Sequence, residues 1–366
     1  MSKVLVWLSW WVDSAVTAAR LLEEWHEVIA WFMKNYADES NPNCHTREDR
    51  NSALKVAKHL WIKVFTIFDF REEYQQTIID YIVQWYQKWR TPNPDVLCNT
   101  KIKFDLFLNY GLELWCEYVA TGHYARIEKQ ANAYSLLKWV DINKDQSYFL
   151  SWLNQYQLNH SIFPLWSMTK PQVRAYASQI NLPNADRPDS QWLCFIGKVP
   201  MKEFLRLHLP IQKGPIQTVD WTVLWEHDGV WFYTVWQRQG LWLAWWPWFV
   251  IDRNTTTNTL TVQWWEASAL YQSSLIATNI HRTNTIPKQW NTLSAKIRYR
   301  QEDQSCTVHF QNDDSLIVNF EQPQRAIASW QIIVFYQWDR VVGNWTIVKA
   351  VREKNNGNIS KLTANS

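Results

Sequence analysis

Between residues 3 and 121 the chain alternates short apolar runs with amphipathic stretches of about ten residues, and this rhythm restricts the fold more than any other feature. Apolar runs at 3–8, 28–33, 62–68 and 117–121 read as buried strands, separated by helix-like stretches at about 14–24, 51–60, 72–88 and 104–114. Strands joined through helices pair in parallel, and a parallel sheet needs cover on both faces. An α/β domain built on a parallel sheet is therefore expected over residues 1–200. Ligands of such sheets bind beyond the carboxyl ends of the strands. The loops after residues 8, 33 and 121 are expected to converge on one site.

The rhythm changes after about residue 200. Segments 229–235 and 259–263 are short and β-like, and runs at 294–299, 306–310, 315–320 and 332–336 alternate apolar and polar side chains. A small central β-rich domain over 201–268, a C-terminal β-barrel over 269–352 and a disordered polar tail at 353–366 are expected. A chain of 366 residues, 47% hydrophobic and 19% charged, is too long for one ordinary core and too apolar for global disorder. It holds no run of about 18 apolar residues that would span a membrane. The N-terminus enters a strand-like run without signal-peptide regions, so a cytoplasmic protein with no membrane partner is expected.

Composition matters at one point. There are 27 Trp and 8 Gly, where average usage gives about 26 Gly. Trp25, Trp61 and Trp115 each stand where a helix-like run gives way to a strand-like one. That turn wants a left-handed residue, usually Gly, because a Cβ clashes there. The pairs Trp10-Trp11, Trp245-Trp246 and Trp264-Trp265 also fall in turn-like places. An aromatic surface for stacking bases is the alternative, but the positions follow turn chemistry rather than one face. The pattern is that of glycine codons read as tryptophan, since UGA encodes glycine in some bacteria and tryptophan in other translation tables.

The first strand runs through Trp7 and Leu8 into Ser9-Trp10-Trp11-Val12-Asp13-Ser14, and a helix follows. With glycine at positions 10 and 11, backbone N–H groups approach a phosphate and the helix N-terminus adds its positive end. Ser9 and Ser14 add hydroxyl donors, and Asp13 is placed to help hold Mg²⁺ beside pyrophosphate. A plain N-cap at Asp13 or Ser14 is the simpler reading. The direct succession of strand, loop and helix favours the nucleotide.

The five cysteines, Cys44, Cys98, Cys116, Cys194 and Cys306, are scattered, odd in number and without a CxxC pair, so neither a zinc site nor a disulfide framework is expected. Cys98 follows the rigid Pro92-Asn93-Pro94-Asp95, with Lys101 and Lys103 near enough to lower its pKa, and Cys194 follows residues 187–191. Both read as loop thiols. Cys116 and Cys306 lie in strand-like runs and read as packing residues, while Cys44 reads as a bystander in a polar loop. Asp95 is a candidate acid or base, with turn capping as its plainer role. His123, after Gly122 at a strand end, has a catalytic and a structural reading, both open. Arg298 and Arg300 share one side of an expected strand, either as a phosphate-binding face or as a solvated one. A net charge of +3, from 37 basic and 34 acidic residues, does not decide between them.

With glycine at positions 10 and 11, Ser9–Ser14 resembles the PP-loop of ATP pyrophosphatases. Five further segments are similar, in order, to the tRNA-specific 2-thiouridylase family: Phe32-Met33-Lys34-Asn35, residues 90–99, Ala120-Thr121-Gly122-His123-Tyr124, residues 143–150 and Cys194-Phe195-Ile196-Gly197. Weaker similarity, at 237–241 and 298–300, continues to about residue 350. The Cys98 and Cys194 segments are specific as a pair; the loop alone is not. Trp7, Trp10, Trp11, Trp89, Trp192 and Trp236 depart from the family, which has Gly there, and as written two indoles would fill the phosphate cradle.

The resemblance implies a PP-loop nucleotide-binding domain in which Trp7, Leu8, Ser9, Trp10, Trp11, Val12, Asp13, Ser14, Met33 and Gly122 hold ATP, with Mg²⁺ transient and no resident metal. It implies that ATP adenylates the O2 of a tRNA wobble uridine and that Cys194 carries persulfide sulfur from an upstream carrier protein. The sulfur then attacks C2, and Cys98 completes release by a disulfide with Cys194. By the same resemblance Asn93, Pro94 and Asp95 contact the target base, flipped out of its loop. His123, Lys144, Asp145, Gln146, Arg298, Tyr299, Arg300 and Gln331 contact the tRNA. Two rivals stand beside this reading. Another PP-loop adenylating enzyme would not need two cysteines about a hundred residues apart, and an inactive tRNA-binding protein would not bind ATP.

Overall fold

The computed structural model describes residues 1–34, 46–88, 90–130, 133–188, 200–243, 247–264, 271–283 and 293–351. The expectations for Cys44, Trp89, Trp192, Cys194, Trp245, Trp246, Trp265 and the tail lie outside the described residues.

Strands β1 (Lys3–Trp7), β2 (Glu27–Lys34), β3 (Val64–Asp69) and β4 (Tyr118–Ala120) are followed by a hairpin, β5 (Arg126–Gln130) and β6 (Ala133–Leu137), and by the short β7 (Ser161–Ile162). The first sheet has the order β3-β2-β1-β4-β7, and every pairing is parallel. The order reverses between β1 and β4, which opens a crevice at their carboxyl ends. β1 feeds two cores by simple alternation. Leu5 faces Ile29, Trp31 and Phe107 on one side, while Val4 and Val6 face the other with Val28 and Ala30. Helix α1 (Val12–Glu23) covers that second face through Val12, Ala15, Val16, Ala18 and Leu21. Each buried Val, Leu or Ile there contributes about 1.5–3 kcal/mol.

The left-handed turns fall where the sequence places them. After α1, Trp25 N–H donates to Leu22 O at 3.1 Å and His26 N–H to Leu21 O at 3.0 Å, the paired bonds of a Schellman motif. Helix α2 (Thr46–His59) ends the same way at Trp61, and the helix Phe107–Glu113 at Trp115. The φ angles of Trp25, Trp61 and Trp115 are 60°, 56° and 59°. A fourth helix, Lys170–Gln179, ends identically at Asn181, a residue that tolerates this region. Eight of the thirteen non-glycine residues with positive φ among the described residues are Trp. Trp25, Trp61 and Trp115 are 81%, 88% and 86% exposed, so no buried indole offsets the strain. The backbone at these positions is glycine backbone.

Three expectations need correction, and some strands were missed. Cys98 is not on a loop: Pro94–Leu97 is an α-helical turn capped by Asn93, and Cys98–Leu106 continues it as a π-helix, so the helix expected from 104 begins ten residues earlier. Pro94 sits at the first helical position, where its missing N–H costs nothing. Second, 229–235 is not a strand but a 3-10 turn, Val230–Phe232, because Gly229 takes φ 154° and a Cβ there would meet the Trp231 indole at 2.6 Å. Third, the strand expected over 294–299 ends at Lys296. The Gln301 side chain accepts the Ile297 N–H at 2.8 Å and turns the chain, with Arg300 at φ 61°. Arg298 and Arg300 therefore lie in a turn, not along one strand face. Last, the hairpin β5–β6 and the long first and last barrel strands were not expected.

Beyond the first sheet, β8 (Gly214–Gln217), β9 (Val223–His227), β10 (Trp248–Asn254) and β11 (Thr259–Trp264) form a four-stranded sheet ordered β10-β11-β8-β9. Strands β12 (Tyr271–Arg282), β13 (Leu293–Lys296), β14 (Gln304–Phe310), β15 (Ser315–Arg325), β16 (Ile332–Gln337) and β17 (Arg340–Val351) follow. Their order, β12-β15-β14-β13-β16-β17, closes through β12–β17 pairing into an antiparallel barrel. Leu275, Val308, Val318, Phe335 and Ile347 fill it. The hairpin β5–β6 joins the barrel at one pair, Leu137 with Arg340, and so ties the first domain to the last.

Candidate active site

The site begins where β1 ends. Ser9 and Ser14 brace the loop between them: Ser9 N–H donates to Ser14 Oγ at 3.0 Å, the two hydroxyls lie 2.9 Å apart, and Ser14 Oγ donates to Trp11 O at 2.9 Å. Trp11 is the N-cap of α1 and makes no side-chain cap bond, so the positive end of the helix is uncovered by its own cap. Gly122, after β4, presses against this turn. A Cβ there would stand 2.9 Å from Asp13 C and 2.9 Å from Ser14 N. The loops after β1 and β4 thus meet, while the loop after β2 lies outside the described residues and Met33 is buried at its start.

Asp13 is held by two groups that sequence reasoning missed. The Tyr124 hydroxyl and the Lys170 ammonium both bond its Oδ1, the latter at 2.5 Å. Tyr124 follows His123 in a segment already singled out. Lys170 carries no signal, since a Lys-Pro pair opening a helix is ordinary helix chemistry. The indoles of Trp10 and Trp11 lie 5.3 Å apart over the loop, and Asn184 Nδ2 donates to Trp10 O at 3.0 Å.

A pocket opens against the turn that precedes Cys98. A cavity of about 240 Å³ is lined by Asn93, Pro94 and Asp95 from the capped turn, Tyr148 and Phe149 from a short helix, and Arg298, Tyr299 and Gln331 from the barrel. Six residues read from the sequence, drawn from two domains, meet there. Gln331 closes the join by donating to Thr91 O at 3.0 Å and Pro92 O at 3.3 Å. Burial pushes the Asp95 carboxyl above its ordinary value, and the Lys103 charge partly offsets it. Cys98 stands one helical turn after Asp95, 4% exposed, with the Tyr74 hydroxyl donating to Sγ at 4.0 Å. Cys116 and Cys306 are buried elsewhere, and burial raises their thiols to about 11 and about 12.

The remaining expected RNA contacts are placed differently from one another. His123 is buried, with Nδ1 2.7 Å from Thr121 Oγ1 and Nε2 3.4 Å from Lys103 Nζ. Asp145 is buried too: it accepts from Trp139 N–H and Ser147 N–H at 3.1 Å each, and from Ser147 Oγ at 2.9 Å. Gln146 pairs with the Tyr124 backbone, and Lys144 is half-buried beside them.

Three family models match this chain: a tRNA methyl transferase HUP domain over residues 2–198, a tRNA methyl transferase PRC-barrel domain over 202–263 and an aminomethyltransferase β-barrel domain over 243–347. A tRNA-specific 2-thiouridylase of Shouchella clausii is 42% identical over 360 residues, which is 96% of this chain and 98% of that one. The chain belongs to the tRNA-specific 2-thiouridylase family. Further members from Geobacillus kaustophilus and Listeria monocytogenes are 41% and 42% identical, over 96% and 94% of this chain and the same shares of their own. Similarity of this extent spans the nucleotide loop, the cavity and the barrel together, as a match confined to a PP-loop would not.

Proposed function

We propose that the chain is a tRNA-specific 2-thiouridylase that uses ATP to activate the O2 of the wobble uridine and replaces it with sulfur. The observation that carries this reading is the cavity, which gathers Asn93, Pro94, Asp95, Arg298, Tyr299 and Gln331 one helical turn from Cys98. Its volume suits one flipped pyrimidine, and its aromatic wall, Tyr148, Phe149 and Tyr299, suits stacking on it.

ATP enters by the nucleotide loop, where the α1 N-terminus and the Ser9 and Ser14 hydroxyls face its phosphates. Trp10 and Trp11 do not fit a phosphate cradle; glycine at both positions does. Were Mg²⁺ to arrive with ATP, Asp13 would be the carboxylate to hold it, and the ion would supply neutralising charge beside the pyrophosphate. Uridine O2 attacks the α-phosphorus, pyrophosphate leaves and the N3 proton passes to a base. Asp95, with its raised pKa, is the group at hand to take it. The terminal sulfur of a Cys194 persulfide, loaded by a carrier protein, then attacks C2 and AMP departs with O2. Cys98 thiolate attacks the Cys194 sulfur, forming a disulfide and releasing 2-thiouridine. Two equivalents of an external thiol then reduce the Cys98–Cys194 disulfide, leaving as their own disulfide, and restore both cysteines. No helix among the described residues is long and apolar enough to cross a membrane, and we place the reaction in the cytoplasm, with its tRNA.

The test uses the full chain with glycine at positions 10 and 11, incubated with ATP, Mg²⁺, a sulfur donor and unmodified tRNA. Digested nucleosides are then analysed by mass spectrometry. 2-Thiouridine that disappears with Cys98→Ser is expected. Its absence from a folded, ATP-binding parent would leave a different PP-loop adenylating enzyme as the better account.

A further inference from the structure

Lys103 stands at the junction of the two halves of the site. It lies five residues after Cys98 on the same π-helix. Its Nζ is 2.9 Å from Asn99 Oδ1 and 3.4 Å from His123 Nε2, and 5.5 Å from the centre of the Trp7 ring. Trp7 closes β1 just before the nucleotide loop, at a position where glycine would leave open space. Asp95, on the cavity side, is near enough for the ammonium to lower its pKa.

The partners of this ammonium are neutral. Lysine donates three hydrogen bonds and accepts none, so His123 must accept at Nε2 and carry its proton on Nδ1, donating it to Thr121 Oγ1. Burial, helped by the Lys103 charge, holds His123 well below the usual histidine range, so the ring does not become a second cation. Asn99 contributes only an amide oxygen. Among the described residues no carboxylate lies within ion-pair distance of Lys103. A half-buried cation oriented by two neutral groups, between a phosphate loop and a base cavity, is placed for an anion that arrives with substrate.

We propose that Lys103 is a catalytic cation of the adenylation step, contacting the α-phosphate as uridine O2 attacks it. The inference rests on the thiouridylase reading. In that step the O2–phosphorus bond forms and the bond from the α-phosphorus to the bridging oxygen of pyrophosphate breaks. The N3 proton goes to a base, and negative charge gathers on the α-phosphate oxygens and the leaving pyrophosphate. A preorganised ammonium stabilises that charge more than the ground state. It has no part in loading sulfur on Cys194.

The experiment measures tRNA-dependent pyrophosphate release from ATP by the full chain carrying Trp7→Gly, Trp10→Gly and Trp11→Gly, alone and with Lys103→Gln or Lys103→Arg. Lys103→Gln is expected to lower kcat by about 10²–10³-fold, with KM for tRNA within about threefold of the parent. Lys103→Arg should recover part of the loss. Loading of persulfide sulfur, followed by intact mass, should not change in either variant. A residue that only props His123 would instead raise KM and lower Tm together, and that result, or pyrophosphate release by Lys103→Gln within about threefold of the parent, overturns the proposal. A parent that binds tRNA but releases no pyrophosphate removes the thiouridylase reading itself, and the role of Lys103 with it.

Discussion

The Lys296 ammonium of the barrel lies 3.5 Å from Asp145 Oδ2 in the first domain, and both side chains are almost wholly buried. Lys296 is also 3.4 Å from Asp303, which pairs in turn with Lys138 at the end of the β5–β6 hairpin. Tyr336 lies beneath both ammoniums, 4.3 Å from Lys138 and 5.3 Å from Lys296. The cluster joins two domains two residues before Arg298, so it sets where the barrel's wall of the cavity stands. Asp145 spends its oxygens on Trp139, Ser147 and Lys296, and we infer that it acts on RNA through this placement.

Removing one member leaves a buried carboxylate without its counter-charge. Lys296→Met is therefore expected to cost about 3 kcal/mol, seen as a lower Tm. Adding Asp145→Asn to that variant should recover much of the loss, because the stranded charge is then gone. If the double variant is less stable than Lys296→Met, the ion pair is not what joins the domains.

At Trp25, Trp61 and Trp115 the strained angle and the exposed indole point the same way. Left-handed backbone costs an L-residue roughly 1–2 kcal/mol, so Trp→Gly at each is expected to raise stability by about 1 kcal/mol, against the usual penalty for placing glycine. The gene's codons at these positions, and at Trp10 and Trp11, should be UGA, and peptides from the source cell should carry glycine. UGG codons would show the tryptophans to be genuine and the strain real.

Those three tryptophans also show how much was legible. Their turn positions were readable because a helix C-terminus makes a chemical demand that does not depend on tertiary contacts. The parallel sheet was readable because alternation of periods leaves few topologies. Cys98 was misread as a loop thiol because Pro92 and Pro94 dominate the local signal, and Pro94 is as much at home at the first position of a helix. The Lys138–Asp303 and Lys296–Asp145 contacts span 165 and 151 residues, and no local pattern announces such pairs. Arg298 entered the cavity by resemblance; the strand face expected of it does not exist.

Burial raises the thiols of Cys116 and Cys306. With pKa values of about 11 and about 12, Cys116 and Cys306 hold only about 10⁻³ and 10⁻⁴ of their thiol as thiolate at pH 8. Iodoacetamide on the folded chain at pH 8, followed by peptide mass analysis, should leave both unmodified until denaturant is added. Raising the pH to 9 lifts these fractions about tenfold, to about 10⁻² and 10⁻³, so labelling should still need denaturant. Labelling of either in the folded chain would contradict the burial assigned to it.

Asp95 gives a pH dependence with a definite sign. Its pKa is raised by burial in the folded chain. A carboxyl that holds its proton more tightly when folded contributes stability that is complete in acid and lost as pH rises through its folded pKa. Asp95→Asn removes that loss. The variant's Tm should exceed the parent's at pH 7, with the gap closing near pH 3, while 2-thiouridine formation falls for want of a proton acceptor. A gap of the same size at both pH values would mean that the ionisation of Asp95 does not govern it.

Gly122 tests the meeting of the two loops. A methyl group there would stand 2.9 Å from two backbone atoms of Asp13 and Ser14, and neither can swing aside as a flexible side chain would. The strain of Gly122→Ala, about 1–3 kcal/mol, must be relieved by moving the start of α1, where we propose that the phosphates of ATP bind. The cavity lined by Asn93, Pro94 and Asp95 does not share those atoms. In a chain with glycine at positions 10 and 11, Gly122→Ala is expected to weaken ATP binding about tenfold or more, measured by titration calorimetry, while tRNA affinity by filter binding stays within about twofold. Equal loss of both would mean that the methyl group disturbs the whole domain. Loss of neither would mean that α1 does not set the phosphate site.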